Sequence, residues 1–397
     1  MPSPALRVAQ IGTAFMGRVH SQAWLTAPRF FDLPLHPQTS VLVGTDAART
    51  AAVAERFGWA EASTDWRAIV ERDDIDLVDI CTPGDTHAEI AIAALAAGKH
   101  VLCEKPLANS VEEAERMTAA AVQAAANGVI AMCGFTYRRT PALVLARQLV
   151  AEGRLGRIRH VRAQYLQDWL SDENAPLTWR MDRSKAGSGA LGDIAAHIID
   201  TTQWLTDGSI LDVSAVLRTF VTERPEGSAT DGLGSRAAAD APRGPVTVDD
   251  AAAFTATFDG GAADGALGVF EATRMALGRR NANRVELNGD RGSIAFDFER
   301  MNELEFYDAA DPEGLQGFRR VQVTEASHPY LEAWWPAGHG IGYEHLFTHQ
   351  VVELVRAIAG EQPVSPSFAD GLQVQRVLAA VEASANDNSA RTAVPRG

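Results

Sequence analysis

Cysteine is scarce in this chain. Its 397 residues hold three, Cys81, Cys103 and Cys133, each beside an apolar run that reads as a buried strand. An odd number in such places argues against a disulfide framework and for a reducing compartment. Long apolar runs are missing too, since no uncharged stretch approaches the roughly 20 residues of a membrane helix. The opening segment, Met1-Pro-Ser-Pro-Ala-Leu-Arg7, shows no basic region followed by an apolar one, so the cytoplasm is the expected location. Positive charge is in deficit, with 36 Lys plus Arg against 51 Asp plus Glu and a formal net charge of −15. Without a concentrated basic stripe, such a chain is repelled by phosphate backbones, and nucleic acid is not an expected partner. Nor is a membrane. Metal is not expected either: no Cys/His group has ligand spacing, and His345 with His349 lacks a third ligand. The absence of a Gly-x-Ser-x-Gly elbow argues against acyl hydrolysis.

What is present reads as two domains, the default for a chain longer than one hydrophobic core usually supports. A composition 46% hydrophobic and 22% charged is that of an ordinary globular protein. Up to about residue 135, short apolar runs at 6–11, 41–43, 77–80, 100–102 and 129–132 alternate with helical patterns at 47–57, 86–97 and 111–124. Strands apolar on both faces, joined by helices, predict a doubly wound parallel Rossmann sheet over residues 1–135. After Tyr137 the pattern changes. A helix is expected over 141–151, then strands over 158–167, 213–221, 253–258, 267–272, 284–287 and 293–298, with Gly and Asp turns between them. Alternating apolar and polar residues predict an α+β domain over 136–397 on a large, open, mainly antiparallel sheet with one face exposed. Residues 223–246 read as a long loop, and helices near 343–359 and 370–385 close the chain. The fold class is α/β.

The first strand runs into Gly12-Thr13-Ala14-Phe15-Met16-Gly17, which has the spacing of a dinucleotide fingerprint. Gly12 permits the tight turn, the small Ala14 lets backbone approach a pyrophosphate, and Gly17 permits close helix–strand packing. The following helix offers its N-terminal N–H groups to phosphate. An acid near the end of the second strand holds the adenosine ribose in such folds, and Asp46 is the candidate. Asp46 fits a helix N-cap before Ala47 equally well. Gly44, with Arg49 nearby, leaves room for a 2′-phosphate. NAD is the expected cofactor, with NADP left open.

Three further segments carry chemistry. Thr82 and Pro83, followed by His87, stand at the carboxyl end of a strand, where ligands bind in open α/β sheets. Gly98-Lys-His-Val-Leu-Cys-Glu-Lys-Pro106 places Glu104 and Lys105 just past the next strand, with a candidate cis bond before Pro106. Gly187-Ser-Gly-Ala-Leu-Gly-Asp-Ile-Ala-Ala-His197 becomes helical, so Asp193 and His197, four apart, share a face. In this order, the glycine fingerprint, the Glu-Lys-Pro segment and the Asp-x-x-x-His pair resemble the Gfo/Idh/MocA oxidoreductases over nearly the whole chain. One departure is Gly84, where relatives often carry Asn; it bears on a nicotinamide-side contact. Within the family, Phe135-Thr-Tyr-Arg-Arg-Thr-Pro141, Tyr165-Leu-Gln-Asp-Trp169, Trp179-Arg180, Glu271-Ala-Thr-Arg274 and Gly340-Ile-Gly-Tyr343 are similar to its levoglucosan-oxidising members. That resemblance implies oxidation at the C3 hydroxyl of a pyranose or anhydrosugar.

The residue types suit that reaction. Hydride leaves a carbinol carbon only if the hydroxyl proton also leaves, so a base must sit on that oxygen. His197 is the candidate base, its free pKa lying near neutrality. Lys105 is expected to donate to the same oxygen, and Asp193 to balance the charge. Tyr137, Gln167, Trp169 and Arg180, with Lys105, Asp193 and His197, form the expected sugar site. Tyr137 and Trp169 fit a plain core as well, and Arg180 and Arg274 fit ion pairs. Other readings are a myo-inositol or polyol dehydrogenase, an NAD-dependent redox glycosidase, and a non-catalytic dinucleotide-binding regulator. An uncovered sheet face implies a homodimer or homotetramer, because exposed apolar surface is unfavourable in water.

Overall fold

The computed structural model describes residues 3–227, 237, 238 and 240–396. Its first part alternates strand and helix: β1 (Ala5–Ile11), α1 (Phe15–Phe30), β2 (His36–Val43), α2 (Ala47–Phe57), β3 (Glu61–Ser63), α3 (Trp66–Val70), β4 (Leu77–Ile80), α4 (His87–Ala96), β5 (His100–Cys103), α5 (Val111–Ala125) and β6 (Ala131–Cys133). The six strands form one parallel sheet in the order β3-β2-β1-β4-β5-β6, the doubly wound arrangement expected. All four residues of β4 are buried, as a central strand requires, and Asp79 is the one charged residue among them. Local chemistry sets the helix limits. Asp46 caps α2 by accepting the Arg49 N–H at 2.7 Å, and Gly58 ends that helix at φ 71°. Ser110 caps α5 in the same way, with Glu112 and Glu113 in the first turn. The short edge strand β3 and helix α3 were not legible in the sequence. Among the described residues, no helix is long and apolar enough to cross a membrane.

The second part contains α6 (Pro141–Ala151), β7 (Ile158–Leu166), α7 (Arg183–Ala186), α8 (Ala196–Thr206), β8 (Ser209–Arg218), β9 (Glu223–Pro225), β10 (Arg243–Pro245), β11 (Ala251–Asp259), β12 (Leu267–Thr273), β13 (Ala282–Gly289), β14 (Gly292–Asp297), β15 (Glu303–Asp308) and β16 (Arg319–Gln322). Helices α9 (Tyr343–Ile358) and α10 (Phe368–Asn386) follow, then β17 (Thr392–Ala393). Nine strands make one sheet, ordered β16-β15-β14-β13-β7-β12-β11-β8-β17. Burial alternates strictly along β11, β12 and β14, so one face packs inward and the other stays open. The sheet is antiparallel except at β7–β12, which run parallel from Leu267↔His160 to Thr273↔Leu166. About a hundred residues separate these two strands, ample for the crossover a parallel pair needs. The open face is less apolar than expected. It carries Arg162 beside Glu286 and Gln164 donating to Glu271 at 2.9 Å, with Leu267 and Val269 of β12 also exposed. Within the stretch read as a loop, β9 and β10 pair as a ladder, while residues 228–236 and 239 lie outside the described residues.

Two compact units result: Met1–Thr136 with Gly342–Gln375, and Tyr137–Ile341 with Arg376–Gly397. The change of pattern along the chain suggests one break near residue 135. Packing adds a return, because Phe347, Val351, Leu354 and Val355 of α9 join the core that Trp24 and Ala27 of α1 build. Burial of an apolar helical stripe decides where α9 lies, not its place in the chain.

Candidate active site

The glycine turn is held by contacts that a side chain would break. Gly12 has φ 118°, and a Cβ there would lie 2.5 Å from the Cys81 carbonyl oxygen. A Cβ on Gly17 would collide with the Gly12 carbonyl oxygen. Helix α1 therefore starts tightly against the ends of β1 and β4, with no side chain capping its N-terminus at Ala14. Thr13 and Met16 are half-buried, whereas Ala14 and Phe15 are exposed, and the Phe15 ring stacks on Tyr343 at 6.2 Å. Uncapped N–H groups behind a turn that begins on glycine fit a pyrophosphate. Asp46 is occupied as the α2 cap, one of its two expected roles. Gly44 has a packing reason to be glycine: a Cβ would strike Thr50 and come 2.9 Å from Thr13.

At the carboxyl ends of β4 and β5 the candidate residues brace one another. The His87 ring is buried, with Nε2 2.9 Å from the Thr82 carbonyl oxygen and Nδ1 3.1 Å from that of Pro106. Burial pulls its pKa below the ordinary histidine value. His87 thus ties the loop holding Thr82 and Pro83 to the loop holding Lys105, and the peptide bond before Pro106 is cis. Lys105 is half-buried, and its own N–H donates to Glu104 Oε2 at 3.3 Å. Over Gly84 lies Asn109, whose Oδ1 stands 2.5 Å from where a Cβ at 84 would be. Asn109 therefore takes up the volume that a side chain at 84 would need.

Asp193 and His197 do lie four apart on one rod, but the rod is not a uniform α-helix. Leu191–Ala195 forms a π turn, with the Ala196 N–H reaching back to the Leu191 carbonyl, and α8 begins directly after it. Insertions of this kind often re-aim side chains at functional sites. Two buried groups hold the approach. Asp249 accepts the Gly189 N–H at 2.7 Å and the Leu191 N–H at 2.8 Å. Burial raises its pKa, opposed by those two N–H groups and the Arg274 charge. A Cβ on Gly189 would overlap the Asp249 carbonyl. Arg274, fully buried, donates to Asp193 Oδ2 at 3.3 Å and to the Asp249 carbonyl at 3.2 Å. The carboxylate of Asp193 is thereby aimed and its charge balanced.

A ring contact joins His197 to a hydrogen-bonded chain that starts at Tyr137. The Tyr137 ring stands edge-on to the imidazole, centroids 4.7 Å apart. Its hydroxyl lies 2.6 Å from that of Tyr165, which donates to Asn281 Oδ1 at 2.6 Å. Gln167 donates to the same oxygen at 2.9 Å, and Trp169 Nε1 donates to Gln167 Oε1 at 3.0 Å. Burial pushes the Tyr137 phenol up to about 12. Four of the expected sugar residues, Tyr137, Gln167, Trp169 and His197, thus belong to one network. Arg180 does not join it; its guanidinium lies over the ring of its neighbour Trp179. Tyr165 and Asn281 link the network and were missed. Asn281 lies more than a hundred positions from Tyr137, Tyr165 and Gln167, and nothing local marks it or Tyr165. The paired acids Asp249-Asp250 at the mouth of β11 were the one overlooked sequence signal.

Comparison with known proteins identifies the family. Residues 6–135 match the sequence model of the oxidoreductase family with an NAD-binding Rossmann fold, and residues 143–295 match the GFO/IDH/MocA C-terminal domain. Levoglucosan dehydrogenase of Pseudarthrobacter phenanthrenivorans is 44% identical over 387 residues, 97% of each chain. The chain belongs to the Gfo/Idh/MocA oxidoreductase family. Among solved structures, an oxidoreductase domain protein from Kribbella flavida superposes with a TM-score of 0.93 at 61% identity, over 99% of this chain and 100% of that one. A levoglucosan dehydrogenase in complex with NADH and levoglucosan superposes with a TM-score of 0.90 at 42% identity, over 99% of this chain and 100% of that one. As a Gfo/Idh/MocA enzyme with an NAD-binding Rossmann domain, the protein is an NAD-dependent oxidoreductase.

Proposed function

We propose that this enzyme oxidises a secondary hydroxyl, the C3 hydroxyl, of levoglucosan or a related pyranose. Bound NAD supplies the hydride acceptor; the chain supplies binding, orientation and proton handling. The Gly12–Gly17 turn and the start of α1 hold the pyrophosphate, and Thr82 and Pro83 line the nicotinamide side. His197 takes the hydroxyl proton as hydride departs. Asp193, aimed by Arg274, stabilises the imidazolium that results. Lys105 donates to the same oxygen and favours its developing negative charge. Gln167 and Asn281 offer partners to ring hydroxyls, while the faces of Trp169 and Tyr137 suit the C–H surface of a sugar. The observation that carries this reading is the continuous network from His197 through Tyr137, Tyr165 and Asn281 to Gln167 and Trp169. It supports the reading by joining an imidazole to groups of the kind that bind sugar hydroxyls. The substrate class rests on likeness to levoglucosan dehydrogenase over 97% of both chains.

The test uses levoglucosan deuterated at C3 or at C2, with NAD and then NADP. Label from C3 should reach the reduced NAD with a primary isotope effect, and label from C2 should not. Transfer from another carbon would overturn the C3 assignment. Oxidation of myo-inositol but of no pyranose would overturn the sugar. Release of phenol from an aryl glycoside without net cofactor reduction would indicate a redox glycosidase instead. Lys105→Met should abolish turnover while leaving NADH binding in place; full activity would remove Lys105 from the reaction.

A further inference from the structure

The first unit contains a buried charged cluster that none of the chemistry above uses. His20, in the second turn of α1, is 1% exposed, and Asp79 in β4 and Glu104 just past β5 are equally enclosed. Nδ1 of His20 lies 2.9 and 3.0 Å from the two oxygens of Asp79, and Nε2 lies 3.1 Å from Glu104 Oε1. A neutral imidazole carries one N–H, so it would turn a lone pair toward one of these carboxylates away from water, an unfavourable arrangement. Asp79 has two more donors, Trp24 Nε1 at 2.8 Å and the Cys81 thiol at 3.5 Å, as an ionised carboxylate accepts. The space Glu104 fills depends on Gly134, where a Cβ would lie 2.7 Å from Oε1. The other oxygen of Glu104 accepts the N–H of Lys105.

We propose that His20 is a permanent imidazolium that pairs with the carboxylates of Asp79 and Glu104 inside the sheet and thereby fixes the chain from which Lys105 projects. It is a positioning residue, acting through Glu104. The groups facing the ring are Asp79 and Cys81 from β4 and its end, Glu104 from the end of β5, and from α9 the uncharged ring of Phe347 at 5.4 Å. Burial disfavours the charged ring, and the Asp79 charge overcomes it, so the pKa stands well above the ordinary histidine range. His20, Asp79 and Cys81 have the residue types of a metal site. The geometry serves a proton instead, since Nδ1 is committed to Asp79 and burial pushes the Cys81 thiol up, away from the thiolate a metal binds. One cation thus ties the phosphate-facing helix, the central strand and the Glu-Lys-Pro loop together.

Long-range proton–nitrogen NMR on histidine-labelled enzyme tests the charge directly. One ring, absent from the His20→Gln spectrum, should show two protonated nitrogens from about pH 6 to about pH 9, against an ordinary histidine pKa of about 6.5. A neutral His20 ring at about pH 8 would overturn the proposal. The kinetic arm rests on the dehydrogenase reading. His20→Gln should lower kcat on levoglucosan by about 10- to 100-fold, the scale of a misplaced catalytic group, with a smaller change in NADH affinity. His20→Gln with Asp79→Asn restores the cluster's net charge and should recover most of the lost kcat; no recovery overturns the positioning role. If the wild type oxidises no sugar, the dehydrogenase reading fails while the NMR result still decides the charge.

Discussion

Replacing Arg274 by glutamine removes a guanidinium that is fully buried and lies 3.3 Å from Asp193. At that distance and an effective dielectric constant of about 20, the Coulomb attraction is about 5 kcal/mol. The Asp193 side chain is 28% exposed, so water screens part of this, and a coupling of about 1–3 kcal/mol is expected. The total loss of stability should be larger, about 3–5 kcal/mol, because the change also abandons a bond to the Asp249 carbonyl inside the core. Urea unfolding of the wild type, Arg274→Gln, Asp193→Asn and the double variant separates the two quantities. Turnover supplies a second readout. Arg274→Gln should lower kcat by about 10- to 100-fold through a misaimed Asp193, and NADH affinity should hold. Additivity of the single changes to within about 0.5 kcal/mol, or an unchanged kcat, would refute the view that Arg274 aims Asp193.

Gly12→Ala places a methyl group 2.5 Å from the Cys81 carbonyl oxygen at φ 118°, so fluorescence titration should show NADH binding weakened by at least about tenfold, the worth of ~1.4 kcal/mol. Retained affinity would mean that the turn is not the pyrophosphate cradle. Asn281→Ala removes the hub joining Tyr165 and Gln167 and should lower kcat/KM for levoglucosan about 5- to 20-fold, mainly through KM. An unchanged KM would take the network out of sugar binding. Burial raises the Tyr137 phenol to about 12 in the folded state, above its unfolded value of about 10. Its stabilising contribution is therefore complete below about pH 10 and is lost as pH rises through about 12, amounting to about 3 kcal/mol. Tyr137→Phe should flatten that alkaline decline in urea midpoints, and an equally steep decline would sink the assignment.

Elements whose causes are local were legible from composition and spacing. The span 77–80 is a buried strand because its side chains are apolar on both faces except Asp79. Helix α2 has Asp46 and Gly58 as its own start and stop signals. Helix α6 begins at Pro141, a residue suited to a first turn. The glycine turn and the positions of Lys105, Asp193 and His197 were likewise readable, since each motif is a few residues long. Strand β16, Arg319–Gln322, was not, because an exposed edge strand carries charge and lacks an apolar stripe.

The sequence by itself therefore determined the two-part α/β plan, the glycine turn and the choice of candidate side chains, all written in short-range periodicity and local backbone demands. Only tertiary structure decided the parallel β7–β12 pairing, the return of α9 to the first unit, and the partners of the buried charged groups. Arg274 reaches Asp193 across 81 positions, and His20 reaches Asp79 and Glu104 across 59 and 84. Burial makes such pairs strong, and burial belongs to the folded chain, so no window of sequence contains it.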